Sequence, residues 1–211
     1  QEKLTTTLNE KFKDNKIELY NSNSVSPTVA GSFFLKSLVA VLITAILVVI
    51  YVGIRFKRIG GISAAITALC ALVFGVFITF FTCVFFRLQL DSNYIAVVLT
   101  ILGYSLNDTI VIYDRVRENS RLMPEAEIGE IVNTSINTSL RRNVITSLTT
   151  FVAVMTIVAV SELFGLSTLR TFAIPMAFGI VSGAVSSLCI AGPLWVIWKR
   201  HKAKKAAAAK K

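Results

Sequence analysis

The order of apolar and polar positions divides the chain into five long apolar runs separated by polar loops. The runs extend from Ser32 to Tyr51, Gly61 to Phe86, Tyr94 to Tyr113, Asn143 to Val160 and Phe172 to Trp198. A helix of about 20 mostly apolar residues crosses a hydrocarbon core roughly 30 Å thick, so the pattern predicts five transmembrane helices. Between the third and fourth runs, Glu118 to Leu140 is too polar to cross, yet Ile128, Ile131, Val132, Ile136 and Leu140 recur near helical spacing. A separate amphipathic helix over residues 124–140 is expected there, with Pro124 near its start.

The segment before the first run is polar and has no basic stretch leading into an apolar one, so it does not read as a signal peptide. Leu4, Leu8 and Phe12 recur at helical spacing, and Ile17 and Leu19 alternate with polar neighbours, which predicts a short helix followed by a strand. Two such elements cannot bury a useful core alone. Either the sequence is a piece of a longer chain, or its first helix and strand complete a domain supplied by another segment. The fold class expected is an all-α polytopic bundle of five helices over residues 32–198, with residues 199–211 forming a basic tail.

Composition supports the membrane reading: of 211 residues, 54% are hydrophobic and 16% charged, and the mean hydropathy is +0.68. The net charge of +10 raises nucleic acid as a partner. Its distribution argues against that, because the cations sit beside the ends of the apolar runs. Arg55, Lys57 and Arg58 follow the first run; Arg115, Arg117, Arg121, Arg141 and Arg142 lie between the third and fourth; Lys199, Arg200 and further lysines follow the fifth. The other two connections carry only Arg87 and Arg170. This asymmetry places the basic loops in the cytoplasm, the N-terminal segment outside and the lysine tail inside. The tail is of low complexity; its lysines could meet anionic membrane lipid or the ribosome, but it is expected to be solvated, with no specific partner.

Cys70, Cys83 and Cys189 fall in apolar runs without disulfide or zinc spacing, and His201 is the only histidine. No Ser, His and Asp set or Cys and His set lies within the membrane, so no catalytic residue, metal or cofactor is assigned and an enzyme is not expected.

The polar residues inside the runs carry the chemistry. Asp108 is an ionisable group well inside a span, where such groups face protein or a water-filled cavity. Thr100, Tyr104 and Ser105 share its helical face, and Asn107 and Thr109 flank it. Two readings stand: a buried carboxylate held by helix-to-helix hydrogen bonds, or a proton carrier whose switching requires movement of a cation or of water. In the fourth run Arg142, Thr146, Thr149, Ala153 and Thr156 form one helix face, polar or small throughout. Arg142 there is either an ordinary anchor or the head of an aqueous path. Gly61, Ala65, Ala68 and Gly75 on the second run, and Gly179, Gly183 and Ser186 on the fifth, are small-residue stripes suited to close helix packing. Pro175 and Pro193 are expected to kink the fifth helix or end its regular part.

The run GYSLNDTIVIYDRVREN, Gly103 to Asn119, closely resembles the signature of the SecF family, and SVSPTVAG at Ser24 to Gly31 and RRNVITSLTT at Arg141 to Thr150 resemble further segments of it. The resemblance implies the last five of six spans of a SecF-type half from the resistance-nodulation-division superfamily, preceded by the end of its extracytoplasmic domain. It implies a non-enzymatic subunit in the bacterial cytoplasmic membrane that couples the proton motive force to protein export. Its implied partners are SecD, the SecYEG channel and the translocating preprotein, and its implied proton-relay residues are Asp108 and Arg142. Supporting polar roles fall to Tyr104, Ser105, Asn107, Thr109, Thr146 and Thr149. The sequence departs from the family where Phe74 and Gly75 stand in place of a frequent His-Asp pair, and Asn143 follows Arg142 in place of threonine. Two other readings remain at this point: a small-molecule or lipid exporter of the same superfamily, which needs large porter domains, and a structural membrane subunit without proton coupling.

Overall fold

The computed structural model describes residues 27–90 and 92–208. Among them the chain is helical throughout: α1 (Pro27–Arg55), α2 (Gly61–Phe85), α3 (Ser92–Leu122), α4 (Ile128–Leu163), α5 (Ser167–Ser186) and α6 (Gly192–Ala208). Five runs are long and apolar enough to cross a membrane, the fifth comprising α5, a π-helical stretch at Ser187–Ala191 and most of α6. The expected helix and strand before Pro27 lie outside the described residues.

The helices differ from the sequence pattern in length more than in number. The expected amphipathic helix and the fourth span are one helix, α4, of 36 residues. Nothing between Leu140 and Asn143 breaks a helix, and Arg141 and Arg142 are accommodated on its exposed side. Pro124 lies in the connection before α4, and α3 continues well past Tyr113 to Leu122. Residues 199–208, expected as a solvated tail, continue α6, in keeping with the helix propensity of their Ala and Lys content.

Pro193 explains the π-helical stretch. Proline has no N–H to offer the preceding turn and its ring crowds the carbonyl four residues back, so the turn widens just before it. A carbonyl of that turn, that of Ala191, accepts from the Tyr113 hydroxyl at 3.5 Å.

Small residues set the spacing of the bundle. On α5 a Cβ at Gly179 would lie 2.0 Å from Ile101 Cδ1 of α3 and 3.1 Å from Thr79 Oγ1 of α2, and one at Gly183 would lie 3.1 Å from Ser105 Cβ. At Gly75 of α2 a Cβ would meet only Ser182 Oγ, at 3.8 Å. Gly75 therefore has room that the α5 glycines lack. Gly75→Ala is expected to purify with a thermal midpoint close to the parent's, whereas Gly183→Leu should lose about 1–3 kcal/mol through overpacking against α3. Equal midpoints for Gly183→Leu and the parent in detergent would refute the close contact.

Candidate functional site

One face of α3 points into the bundle. Ser105, Asp108, Thr109, Ile112, Tyr113 and Val116 follow helical spacing and are all buried. In a segment of this hydropathy a buried carboxylate needs polar neighbours, and Asp108, only 2% exposed, finds them on α4. The Ser147 hydroxyl donates to Asp108 Oδ2 at 3.5 Å, and the Tyr104 hydroxyl lies 3.4 Å from Ser147 Oγ and 3.3 Å from Thr150 Oγ1. Ser105 Oγ lies 3.5 Å from the Gly183 carbonyl of α5, so the α5 glycine stripe brings a helix backbone against the same face. The contacts around the acid are long: the single hydroxyl among the described residues that reaches the carboxylate, that of Ser147, is itself approached by Tyr104.

The inward face of α4 is not the one that the sequence pattern singles out. Ser139, Asn143, Ser147 and Val154 are buried, while Arg142, Thr149, Ala153 and Thr156 are exposed. The Thr146, Thr149 and Thr156 hydroxyls bond to carbonyls of their own helix. Arg142 forms no ion pair with Asp108, whereas Asp114 pairs with Arg55 and Arg117 at 3.2 and 3.0 Å. Asn143, 1% exposed, and Ser139 carry side-chain polar atoms, Asn143 Nδ2 and Ser139 Oγ, without a hydrogen-bond partner. The residues missed by sequence reasoning are thus Ser139, Asn143, Ser147 and Thr150. Their offsets of four, four and three residues were a readable signal beside the equally regular Arg142 stripe.

Of the other candidates, Thr109 is buried and bonds to the Ser105 carbonyl at 3.1 Å, Asn107 is exposed, and Thr100 is exposed with its hydroxyl on the Ala96 carbonyl. Phe74 is partly exposed on the outer side of α2, and Gly75 is buried. Neither supplies an acid.

About one and a half helical turns from Asp108, an aromatic cluster closes the bundle. The Tyr113 hydroxyl is 2.8 Å from Thr67 Oγ1, and its ring packs edge-on against Phe56 at 5.6 Å and beside Trp195 at 6.4 Å. Trp195 Nε1 donates to Ser63 Oγ at 3.1 Å. These buried rings, with their polar tips satisfied, separate the Asp108 level from the Asp114 pairs at the helix end. Among the described residues no group of three or more His, Cys, Asp or Glu gathers that could hold a metal ion.

Fold and site together define a polytopic helical membrane protein with, among the described residues, one deeply buried acid at a three-helix junction. The chain belongs to the family of protein export membrane proteins SecD/SecF, C-terminal, which it matches over residues 4–201. It is 39% identical over 199 residues to the protein translocase subunit SecDF of Bacillus subtilis, covering 92% of this chain and 26% of that protein. It is 38% identical over 198 residues to the protein translocase subunit SecF of Alicyclobacillus acidocaldarius, covering 92% of this chain and 61% of that protein. The chain thus spans less than two thirds of the length of these relatives. Its fold is similar to the crystal structure of SecDF, a translocon-associated membrane protein, from Thermus thermophilus: the TM-score is 0.78 at 32% identity, over 95% of this chain and 27% of that one. A SecDF crystal structure in a super-membrane-facing form gives the same TM-score of 0.78 at 31% identity, over 99% of this chain and 28% of that one.

Proposed function

We propose that this chain is the membrane portion of an auxiliary Sec translocase subunit that, paired with a SecD half, couples the proton motive force to export of preprotein through the SecYEG channel. Membership of the export family is the observation that carries the reading. The burial of Asp108 against Ser147 adds to it, because a lone acid among hydroxyls can take up and release a proton without leaving a permanent charge in the membrane. Asp108 is the proton-carrying group. Arg142, exposed near the end of the α4 membrane segment, attracts the carboxylate form or governs water entry, and Ser147 and Tyr104 are the hydroxyl neighbours through which the proton passes.

The basic ends of the helices support an orientation with the N-terminal segment outside the cytoplasmic membrane and α6 ending inside, and a SecF-type half of the superfamily architecture accounts for residues 1–31 as the end of an extracytoplasmic α+β domain. Supplying the intact subunit that contains this chain to cells depleted of their own SecF should restore export of a reporter preprotein. Restored growth without restored export would overturn the assignment. A single cysteine introduced near Lys205 should react with an impermeant maleimide only after the cells are opened. Labelling from outside intact cells would reverse the orientation.

A further inference from the structure

The end of the bundle at which α1 stops and α2 begins concentrates positive charge in a concave surface. A hollow of about 600 Å³ is lined by Ile54, Arg55, Lys57, Arg58, Arg117 and Arg121. Five of these six residues are cations, drawn from α1, the 3-10 turn Lys57–Ile59 and α3. One carboxylate, Asp114, faces them, paired with both Arg55 and Arg117. Lys57, Arg58 and Arg121 are exposed and, among the described residues, form no ion pair. Glu118, the other acid on this part of α3, is held by Arg115 at 2.6 Å.

A second hollow of about 680 Å³ adjoins the first, sharing Ile54 and Lys57 and adding Lys199, Lys202 and Trp198. The turn between α1 and α2 fixes both cups. Gly60 takes a left-handed φ of 95°, and Ser63 Oγ donates to its carbonyl at 2.7 Å. Apolar side chains rise out of the same surface: Ile54 and Ile62 are 74% and 75% exposed. Cations gathered around one carboxylate repel one another, and an exposed isoleucine between them gains nothing from water. A ligand with a phosphate head and a hydrocarbon body answers both, and free phosphate answers only the first.

We infer that the paired cups on either side of Lys57, walled by Arg58 and Arg121 on one side and by Lys199 and Lys202 on the other, bind the phosphate headgroup of an anionic phospholipid. The acyl chains lie along Ile54 and Ile62, and the Trp198 indole stands at the headgroup level, where such rings prefer to sit. The site requires residence in a membrane and is independent of proton coupling, so its failure leaves the export reading untouched.

The test uses the full chain purified in a neutral detergent, with bound lipid counted by native mass spectrometry and affinity measured by titration. The probes are phosphatidylglycerol, phosphatidylcholine and inorganic phosphate. The parent should retain phosphatidylglycerol in preference to phosphatidylcholine. Lys57→Gln/Arg58→Gln/Arg121→Gln should weaken that binding by roughly a hundredfold, as three surface cations each contribute about fivefold. A tail variant of equal charge loss, Lys204→Gln/Lys205→Gln/Lys210→Gln, should keep it. Undiminished binding in the first variant overturns the site, as does an equal loss in the tail variant, which reduces it to bulk charge. Binding of inorganic phosphate as tight as that of phosphatidylglycerol overturns the lipid assignment. The three substituted residues are exposed, and Arg121→Gln alone, expected to lose about fivefold, serves as the readout should the triple variant fail to accumulate.

Discussion

Asp108→Asn is expected to accumulate in the membrane at the parental level and to lose all stimulation of export by the proton motive force. Asparagine keeps the shape of aspartate and an oxygen that accepts from Ser147, so the packing around a residue that is 2% exposed is preserved. What disappears is the group that titrates. Export by vesicles carrying the variant should fall to the level of vesicles without the subunit, with and without an imposed proton gradient. Stimulation equal to the parent's, at matched membrane levels and across a measured gradient, would leave only a structural role for the carboxylate. Arg142→Lys should retain part of the stimulation, because the charge stays while the planar guanidinium is lost. Its exposure on α4 predicts a smaller defect than that of Asp108→Asn.

Gly61→Ala should give the largest packing defect in the described bundle. A Cβ there would stand 2.0 Å from the carbonyl oxygen of Gly53 and 2.9 Å from its carbonyl carbon, and both are backbone atoms that cannot swing aside. Beyond this contact α1 and α2 border a hollow of about 400 Å³ whose lining includes Val41 and Val48 on one helix and Leu72 and Phe80 on the other. The glycine contact, the buried Val48, Val52 and Phe56, and the Arg55 to Asp114 pair hold this end of α1 in place. Overpacking of about 1–3 kcal/mol should lower the thermal midpoint in detergent by about 2–12 °C. An unchanged midpoint, or unchanged protease resistance at Arg55, would show that the helices can part without cost.

Hydrophobic runs of spanning length located the five long apolar helices among the described residues, because a hydrocarbon solvent demands that every backbone group be bonded within the helix. Helix ends were less legible. Ile128 to Leu163 forms one rod, and a change from amphipathic to apolar pattern inside a helix marks a change of surroundings, not a break. Asp108 stood out because an acid in an apolar run is costly, yet its partners did not. Two stripes of hydroxyl residues run along α4, and sequence periodicity cannot say which one turns inward. Burial of Ser139, Asn143 and Ser147 decides it. The glycine stripes were legible as a type of contact, but only the distances separate the crowded Gly61, Gly179 and Gly183 from the roomier Gly75. The Tyr113, Phe56 and Trp195 cluster joins residues far apart in the chain and had no local signal.

The unbroken α4 has a mechanical consequence. Its 36 residues make a rod about 54 Å long, which exceeds a hydrocarbon core by more than 20 Å. Ser147, where the rod touches the buried acid, lies about 28 Å from the end at Ile128. Pivoting about Ser147, such a rod works as a lever arm. A tilt of about 5° there swings the Ile128 end through roughly 2.5 Å, enough to strain the ion pair by which neighbouring Glu127 grips Arg200, midway along α6. Any change at the buried acid that tilts this helix is magnified at the rim of the bundle.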